Sequence, residues 1–149
     1  MNHQYQVEVV SWQSHQAALS QVRQQVFIDE QNVPVELELD DLDADAIHLL
    51  VENQENQPIA CARLLANGSI GRMAVLKDWR MRGIGLAMLD KAISIHRQLG
   101  RNTISLSAQT HAIGFYLKAG FVVVSTPYLD ANIQHVDMQF IVGKAQFFV

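Results

Sequence analysis

The chain has 149 residues, of which 49% are hydrophobic and 17% charged, and its net charge is −4. This is the size and balance of one globular domain that buries a core without disulfides, and it excludes a disordered chain. The acidic balance argues against a general nucleic-acid binder, which needs a basic surface. No stretch approaches the roughly 20 apolar residues of a membrane span, so we expect neither a nucleic-acid nor a membrane partner.

The charges are unevenly distributed. Residues 1–60 carry eleven acidic side chains and one basic one, Arg23, whereas residues 61–101 carry eight of the eleven Lys and Arg. Either one half of the fold attracts cations and the other anions, or the asymmetry reflects only solvated surfaces. The single cysteine, Cys61, excludes an internal disulfide and a cysteine zinc site, and no signal-peptide pattern opens the chain. We therefore expect a cytoplasmic protein without a metal site.

Hydrophobic periodicity predicts secondary structure along the whole chain, with no repeat or linker. The first helix is expected to begin with Ser14 as N-cap and to bury Leu19, Val22 and Val26. Another helix has apolar residues at spacings of three and four over residues 84–99. Strands are predicted at 5–10, 47–52, 59–65, 69–76, 103–108, 121–124 and 136–142, and helices at 14–31, 84–99 and 110–119. The order β-α-β-β-β-α-β-α-β-β indicates one α/β domain whose sheet has mixed strand directions.

The most informative segment is 70–89, where a strand enters a glycine-containing loop and then a helix. A helix N-terminus presents free N–H groups and the positive end of the helix dipole, which together bind anions. Gly83 and Gly85 lack a Cβ, so a pyrophosphate can approach the backbone closely. The neighbouring cations are Lys77, Arg80 and Arg82. The pattern is neither a Rossmann fingerprint nor a P-loop, and the alternative is a tight turn with exposed cations.

Arg80-Met81-Arg82-Gly83-Ile84-Gly85 matches the Arg/Gln-x-x-Gly-x-Gly/Ala signature of the GNAT superfamily of N-acetyltransferases. Residues 71–75 resemble that family's fourth strand, and residues 114–121, about thirty residues after the first motif, resemble its Phe-Tyr-x-x-x-Gly-Phe motif. Residues 26–43 together with His48 resemble the ElaA-like bacterial branch. The resemblance spans nearly the whole chain and implies a GNAT-type mixed, mostly antiparallel sheet flanked by helices.

The resemblance also implies a site and a co-substrate, acetyl-CoA. Main-chain groups of Met73, Ala74 and Val75 would pair with the pantetheine arm as an added strand, and one N–H would stabilise the oxyanion. Tyr116 corresponds to the general acid that protonates the departing thiolate. Gln109 stands where the family often has an asparagine that anchors the arm, so this contact is made by a longer amide or in a different way. The pyrophosphate would be held by the amides of Arg80, Met81, Arg82, Gly83, Ile84, Gly85, Leu86 and Ala87.

The group that removes the proton from the amine is left open. Glu30 is the first candidate because it follows a helix and faces the acidic segment 36–45. The other candidates are Glu36, Asp40, Asp41, His48, His111 and a water relay. His48 and Cys61 lie in apolar strands and favour structural roles, and His135 is assigned a surface or structural role. The acidic spacing from Asp41 to Glu52 imitates a calcium loop, but Ala46 replaces its required glycine.

The predicted reaction is direct transfer of an acetyl group to a primary amine in a ternary complex, and the acidic first half favours a small cationic acceptor. The alternatives are an acyl-CoA-binding module without efficient transfer, and acetylation of protein lysines or N-termini. The resemblance is compatible with a homodimer, to which the apolar residues 147–149 could contribute.

Overall fold

The computed structural model describes residues 5–142, which form one eight-stranded sheet with helices packed against it. The strands are β1 (Val7–Val10), β2 (Ile47–Glu52), β3 (Pro58–Leu64), β4 (Ser69–Val75), β5 (Thr103–Gln109), β6 (Val122–Val123), β7 (Tyr128–Asp130) and β8 (Ile133–Ile141). The α-helices are α1 (Trp12–Arg23), α2 (Val35–Glu38), α3 (Ile84–Gln98) and α4 (Ile113–Lys118). A π-helix (Gln24–Glu30) continues α1, and 3₁₀ turns (Lys77–Trp79 and Thr110–Ala112) precede α3 and α4. No helix within residues 5–142 is long and apolar enough to cross a membrane.

The sheet has the order β1-β2-β3-β4-β5-β8-β6, with β7 also paired to β8, and only β4 and β5 are parallel. The predicted mixed, mostly antiparallel sheet is therefore confirmed. Strand β7 is an addition to the predicted order, and β8 begins earlier than expected. The two strands join through Ala131 and Asn132, both at positive φ (52° and 65°). Such a two-residue turn normally uses Gly, Asn or Asp at both positions, so alanine concealed the hairpin.

The first helix begins earlier than predicted. Ser11 is its N-cap, and the N–H of Ser14 donates to the Ser11 side-chain oxygen at 3.1 Å. Leu19, Val22 and Val26 are buried as expected. From Gln24 onward the backbone is a π-helix, which sequence periodicity did not reveal because it continues the same apolar face.

The core has a layer on each face of the sheet. On one face, α3 packs Ile84, Met88 and Leu89 against the buried side chains of β2, β3 and β4. On the other face, α1 packs against Leu50, Cys61 and Ala74. Cys61 is a core residue, and burial raises the pKa of its thiol to about 12. Leu99 was expected on the buried face of α3 but is 53% exposed, because it lies beyond the last helical residue.

Strands β4 and β5 touch at one end only. Their pairing is limited to Ser69 with Ser105 and Ile70 with Leu106. The closed end is tight: the N–H of Ser105 donates to the Gly68 carbonyl at 3.1 Å, and a Cβ on Gly68 would lie 2.4 Å from the Thr103 carbonyl oxygen. Beyond this end, β4 remains paired with β3 and β5 remains paired with β8. The two strands therefore diverge and leave a gap in the middle of the sheet.

A β-bulge in β4 accompanies the divergence. The register with β3 shifts between Cys61 and Arg63, and Arg72 has a positive φ of 46°. Bulges bend a strand and increase its twist, which directs β4 away from β5. The guanidinium of Arg72 donates to the Glu38 carbonyl at 2.8 Å and to the Asp40 carboxylate at 3.1 Å. These bonds hold an otherwise unfavourable backbone conformation in place.

The acidic segment after the π-helix is held by buried ion pairs. Arg23 bonds Glu38 at 2.6 Å and Asp43 at 2.9 Å, while Arg63 bonds Asp40 at 2.8 Å and Asp43 at 3.1 Å. Burial favours a raised pKa for Asp43, but the bonds from the two arginines outweigh it and lower the pKa. Three of the eleven acidic side chains of residues 1–60 are therefore neutralised by arginines within the fold. These three carboxylates are not available to attract cations from solution.

Residues 147–149 lie outside the described part of the chain, so their contribution to a homodimer stays a prediction.

Replacing Arg23 by methionine is expected to lower the free energy of unfolding by about 3 kcal/mol, because the buried carboxylates of Glu38 and Asp43 each lose one of two arginine partners. Urea unfolding measures the change. The exposed Arg97→Met variant is the control and should stay within about 0.5 kcal/mol of the parent. Equal unfolding free energies for the two variants would contradict a structural role for the Arg23 ion pairs.

Candidate functional site

The gap between β4 and β5 opens into a cleft of about 700 Å³. Its walls come from the π-helix, from β4 with the loop after it, from the start of α3, and from α4 and the β7–β8 hairpin. Most of the residues predicted for the site from the sequence line this one cleft.

The edge of β4 that faces the gap carries unused backbone groups. Ala74 is paired with Cys61, and the N–H of Leu76 donates to the Ile59 carbonyl at 2.9 Å, so these residues bond to β3. Backbone groups of a strand alternate between its two sides, so those of Met73 and Val75 point toward the gap, where only the Val75 carbonyl is already bonded, by Arg80. An extended ligand can pair with these two residues as an added strand does. The same alternation removes Ala74 from the predicted main-chain contacts.

The start of α3 is a second set of free backbone donors. Gly83 is the N-cap, with φ of 83°, and no side chain of residues 5–142 caps the helix. The first intrahelical bond is donated by the N–H of Ala87 to the Gly83 carbonyl at 3.0 Å. The amides of Ile84, Gly85 and Leu86 are thus available for an anion, whereas that of Ala87 is already bonded. The predicted pyrophosphate site therefore loses the amide of Ala87.

The loop before α3 contributes backbone N–H groups, rather than charged side chains, to the anion site. Met81 also has a positive φ, of 65°, and such conformations next to a helix start form concave anion-binding turns. Arg82 lies over the Trp79 ring, with 4.8 Å from its guanidinium carbon to the ring centroid. Arg80 donates from Nε to the Val75 carbonyl at 2.9 Å, and its remaining donors bond Glu30. The predicted cationic contribution of Arg80 is therefore already used within the protein.

Glu30 was the first candidate for the base, and its surroundings argue against that role. Its two oxygens accept hydrogen bonds from Arg80 at 2.7 and 2.8 Å. These bonds lower the pKa of Glu30 below its ordinary value. A carboxylate with a lowered pKa and both oxygens engaged is a poor proton acceptor. Glu30 instead fastens the end of the π-helix to the loop before α3.

Tyr116 lies on α4 and lines the cleft together with Met73. Its ring packs edge-on against Phe115 and Phe121, and its hydroxyl donates to the Met73 sulfur at 3.9 Å. Burial raises the pKa of the Tyr116 hydroxyl, so the group keeps its proton at neutral pH. The structure thus places a protonated donor beside the open edge of β4.

Gln109 lies at the end of β5 and is paired across the cleft. Its amide donates to the Gln31 side chain at 2.9 Å and accepts from it at 3.3 Å. The predicted anchoring of a ligand by Gln109 would require this reciprocal pair to open or to turn.

The structure separates the other candidate bases into residues with structural partners and residues that are exposed. Asp40 bonds Arg63 and Arg72, and His48 is buried with its Nε2 2.9 Å from the Asp43 carbonyl oxygen. Both have structural partners, as predicted for His48. Glu36 and Asp41 are exposed and do not line the cleft, whereas His111 is exposed and does line it.

The β7–β8 hairpin contributes cleft residues that the sequence analysis missed, among them Asp130, Ile133 and His135. Alternation of residues 133–138 and the turn-forming Asn132 were the available signals. They were overlooked because Ala131 is an unusual turn residue and because the predicted strand began only at residue 136.

Comparison with known proteins supports the resemblance to the GNAT family. Residues 12–142 match the family model of the acetyltransferase (GNAT) domain. An uncharacterised N-acetyltransferase of Bacillus subtilis (strain 168), YjcF, is 36% identical over 121 residues, which is 78% of this chain and 86% of that protein. Protein ElaA of Escherichia coli (strain K12) is 31% identical over 129 residues, 81% of this chain and 84% of ElaA.

Solved structures show the same fold. An acyl-CoA N-acyltransferase from Pseudomonas aeruginosa superposes with a TM-score of 0.82 at 30% identity, covering 91% of this chain and 99% of that one. The crystal structure of Escherichia coli ElaA gives a TM-score of 0.81 at 26% identity, with the same coverage. Because these matches extend over most of the chain and over the divergent strands that form the cleft, the chain belongs to the GNAT family, in its ElaA-like branch, and is an acyltransferase that uses an acyl-CoA.

Proposed function

We propose that the protein transfers an acetyl group from acetyl-CoA to the primary amine of a small acceptor, by direct attack in a ternary complex. The observation that carries this proposal is the convergence of three features on one cleft. These are the free amides at the start of α3, the unused backbone edge of β4, and the protonated hydroxyl of Tyr116.

The backbone provides the binding and the charge stabilisation. The amides of Ile84, Gly85 and Leu86 are suited to the pyrophosphate of coenzyme A. The open edge at Met73 and Val75 is suited to its amide-containing arm. An N–H on this edge that points at the thioester oxygen would stabilise the negative charge that develops during attack. The protein thereby supplies positioning and electrostatic stabilisation without a charged side chain at the reacting carbon.

Tyr116 supplies the proton for the leaving group. The attacking amine forms a C–N bond, the C–S bond breaks, and the thiolate takes the hydroxyl proton of Tyr116. A free thiol has a pKa near 8.5, below that of tyrosine, but the desolvation that raises the pKa of Tyr116 acts on a thiolate in the same cleft as well. Burial therefore keeps the proton transfer within energetic reach.

The proposed preference for a cationic acceptor must rest on acidic residues other than those paired with arginines. Four of the eleven acidic side chains that predicted it, Glu30, Glu38, Asp40 and Asp43, are already paired with arginines. Asp130 differs from them: it lines the cleft, is exposed, and forms no salt bridge within residues 5–142. We propose that Asp130 attracts the positively charged acceptor.

Changing Tyr116 to phenylalanine is expected to reduce kcat by about 10²–10⁴-fold, the usual contribution of a general acid, with little change in CoA affinity. Thiol release from acetyl-CoA measures turnover, and calorimetry measures CoA binding. Tyr5→Phe is the matched control because Tyr5 does not line the cleft. Wild-type turnover in the Tyr116 variant would refute the acid role.

Changing Glu30 to glutamine is expected to leave kcat within a few-fold of the parent, because the amide oxygen still accepts a bond from Arg80. A general base at this position would instead cost about 10²–10⁴-fold. The same thiol-release assay decides between the two, and a loss of the larger size would restore Glu30 as the base.

Changing Asp130 to asparagine is expected to raise KM for a cationic amine by up to about fivefold, the effect of one exposed ion pair. KM for an uncharged amine acceptor of similar size should not change. Asp90→Asn on the exposed face of α3 is the control. An equal change for charged and uncharged acceptors would contradict the attraction by Asp130.

A further inference from the structure

The β7–β8 hairpin brings a histidine to the cleft from the face of the sheet opposite α3. Val136 and Met138 of β8 are buried in the core layer that contains α3. Side chains alternate along a strand, so His135 and Asp137 project from the other face. Gln109, directly opposite His135 in the β5–β8 pairing, reaches Gln31 at the end of the π-helix on that same face. His135 therefore lies on the face of the sheet that carries the π-helix, opposite α3.

The hydrogen bonding of His135 determines its tautomer. Nδ1 lies 2.7 Å from the Ile133 carbonyl oxygen, which can only accept, so Nδ1 carries the proton. Nε2 is then the unprotonated nitrogen with a free lone pair. Within residues 5–142 it has no hydrogen-bond partner, and it is not among the enclosed polar atoms that lack one. Nε2 therefore keeps some contact with solvent, and His135 is one of the residues that line the cleft.

The packing around His135 fixes the orientation of its ring. Only 9% of the residue is exposed, and the Tyr128 ring stacks on the imidazole at 6.0 Å and 20°. The Tyr128 hydroxyl in turn donates to Asp137 at 2.6 Å. The groups that face the ring are thus Tyr128 on β7, Gln109 on β5 and Asp137 on its own strand, with Asp130 at the hairpin end. A ring held this way has little freedom to turn its lone pair away.

We propose that Nε2 of His135 is the base that removes the proton from the acceptor ammonium before attack. This inference rests on the proposed function and names the group that function lacks. The N–H bond of the ammonium breaks, its proton moves to Nε2, and the neutral amine then attacks the thioester carbon. His135 passes this proton to solvent. As the C–S bond breaks, Tyr116 protonates the thiolate, and the second proton that the nitrogen loses on becoming an amide restores the Tyr116 hydroxyl, so atoms and charges balance. Asp130, on the same hairpin, holds a cationic acceptor near this imidazole.

The variant His135→Asn isolates the base from the structural contact. The asparagine amide can still donate to the Ile133 carbonyl from the position of Nδ1, but nothing replaces Nε2. We expect kcat/KM at pH 7 to fall at least a hundredfold with the side-chain amine of Nα-acetyl-lysine amide, whose amine has a pKa near 10.4. With the α-amine of alanyl-alanine amide, with a pKa of about 8, the loss should be several-fold smaller, because more of this amine is already neutral.

The controls separate the possible failures. His15→Asn, on α1 outside the cleft, should match the parent, and CoA affinity and thermal unfolding verify that the His135 variant is folded. His135→Gln serves as a second variant if asparagine lowers stability. Unchanged kcat/KM, or an equal loss with both amines, overturns the assignment of the base while leaving the acetyltransferase proposal intact. A dependence on amine pKa that appears in His111→Asn instead assigns the base to His111 and also overturns it. If the parent protein releases no thiol with either amine, the proposed function fails and this inference fails with it.

Discussion

The divergence of β4 and β5 is the constraint on which the rest of the site depends. The two strands are joined at one end, where the Gly68 backbone contacts the start of β5, and the bulge at Arg72 turns β4 away beyond it. A sheet paired along its whole length would use every backbone group in its own ladder. The divergence leaves the donors of Met73 and Val75 unused, and it opens a passage between the two faces of the sheet.

Ion pairs hold the wall of this passage in place. The segment that contains α2 has little hydrophobic contact of its own, and its exposed apolar residues include Leu37 and Leu39. Arg23, Arg63 and Arg72 bind it to α1, β3 and β4 through three of its six carboxylates, those of Glu38, Asp40 and Asp43. The same charges cannot also attract a substrate from solution. The paired acidic residues of this segment therefore have a structural role rather than a role in binding.

The two proton transfers of the proposed reaction fall on opposite faces of the sheet. Tyr116 packs into the core layer beneath α3, where burial keeps its hydroxyl protonated. His135 projects from the other face, and its bond to Ile133 directs an unprotonated nitrogen toward the cleft. This separation gives the proton donor, Tyr116, and the proton acceptor, His135, different surroundings. The divergent strands allow both groups to line one cleft.

The sequence by itself determined the order of the elements apart from β7 and the π-helix, the buried residues of α1, the glycine-containing start of α3 and the position of Tyr116. These follow from local patterns: apolar periodicity, glycines before a helix, and two short motifs. Only the tertiary structure decided which groups are free to act. Arg80 and Glu30 are fifty residues apart and neutralise each other, Gln109 and Gln31 are seventy-eight apart and share their amides, and Ala74 is bonded to β3. His135 reaches the cleft through a turn at Ala131 and Asn132, of which only Asn132 is a preferred turn residue. Hydrogen bonds and ion pairs between distant segments leave no trace in local sequence, because any suitable partner brought near by the fold can satisfy them.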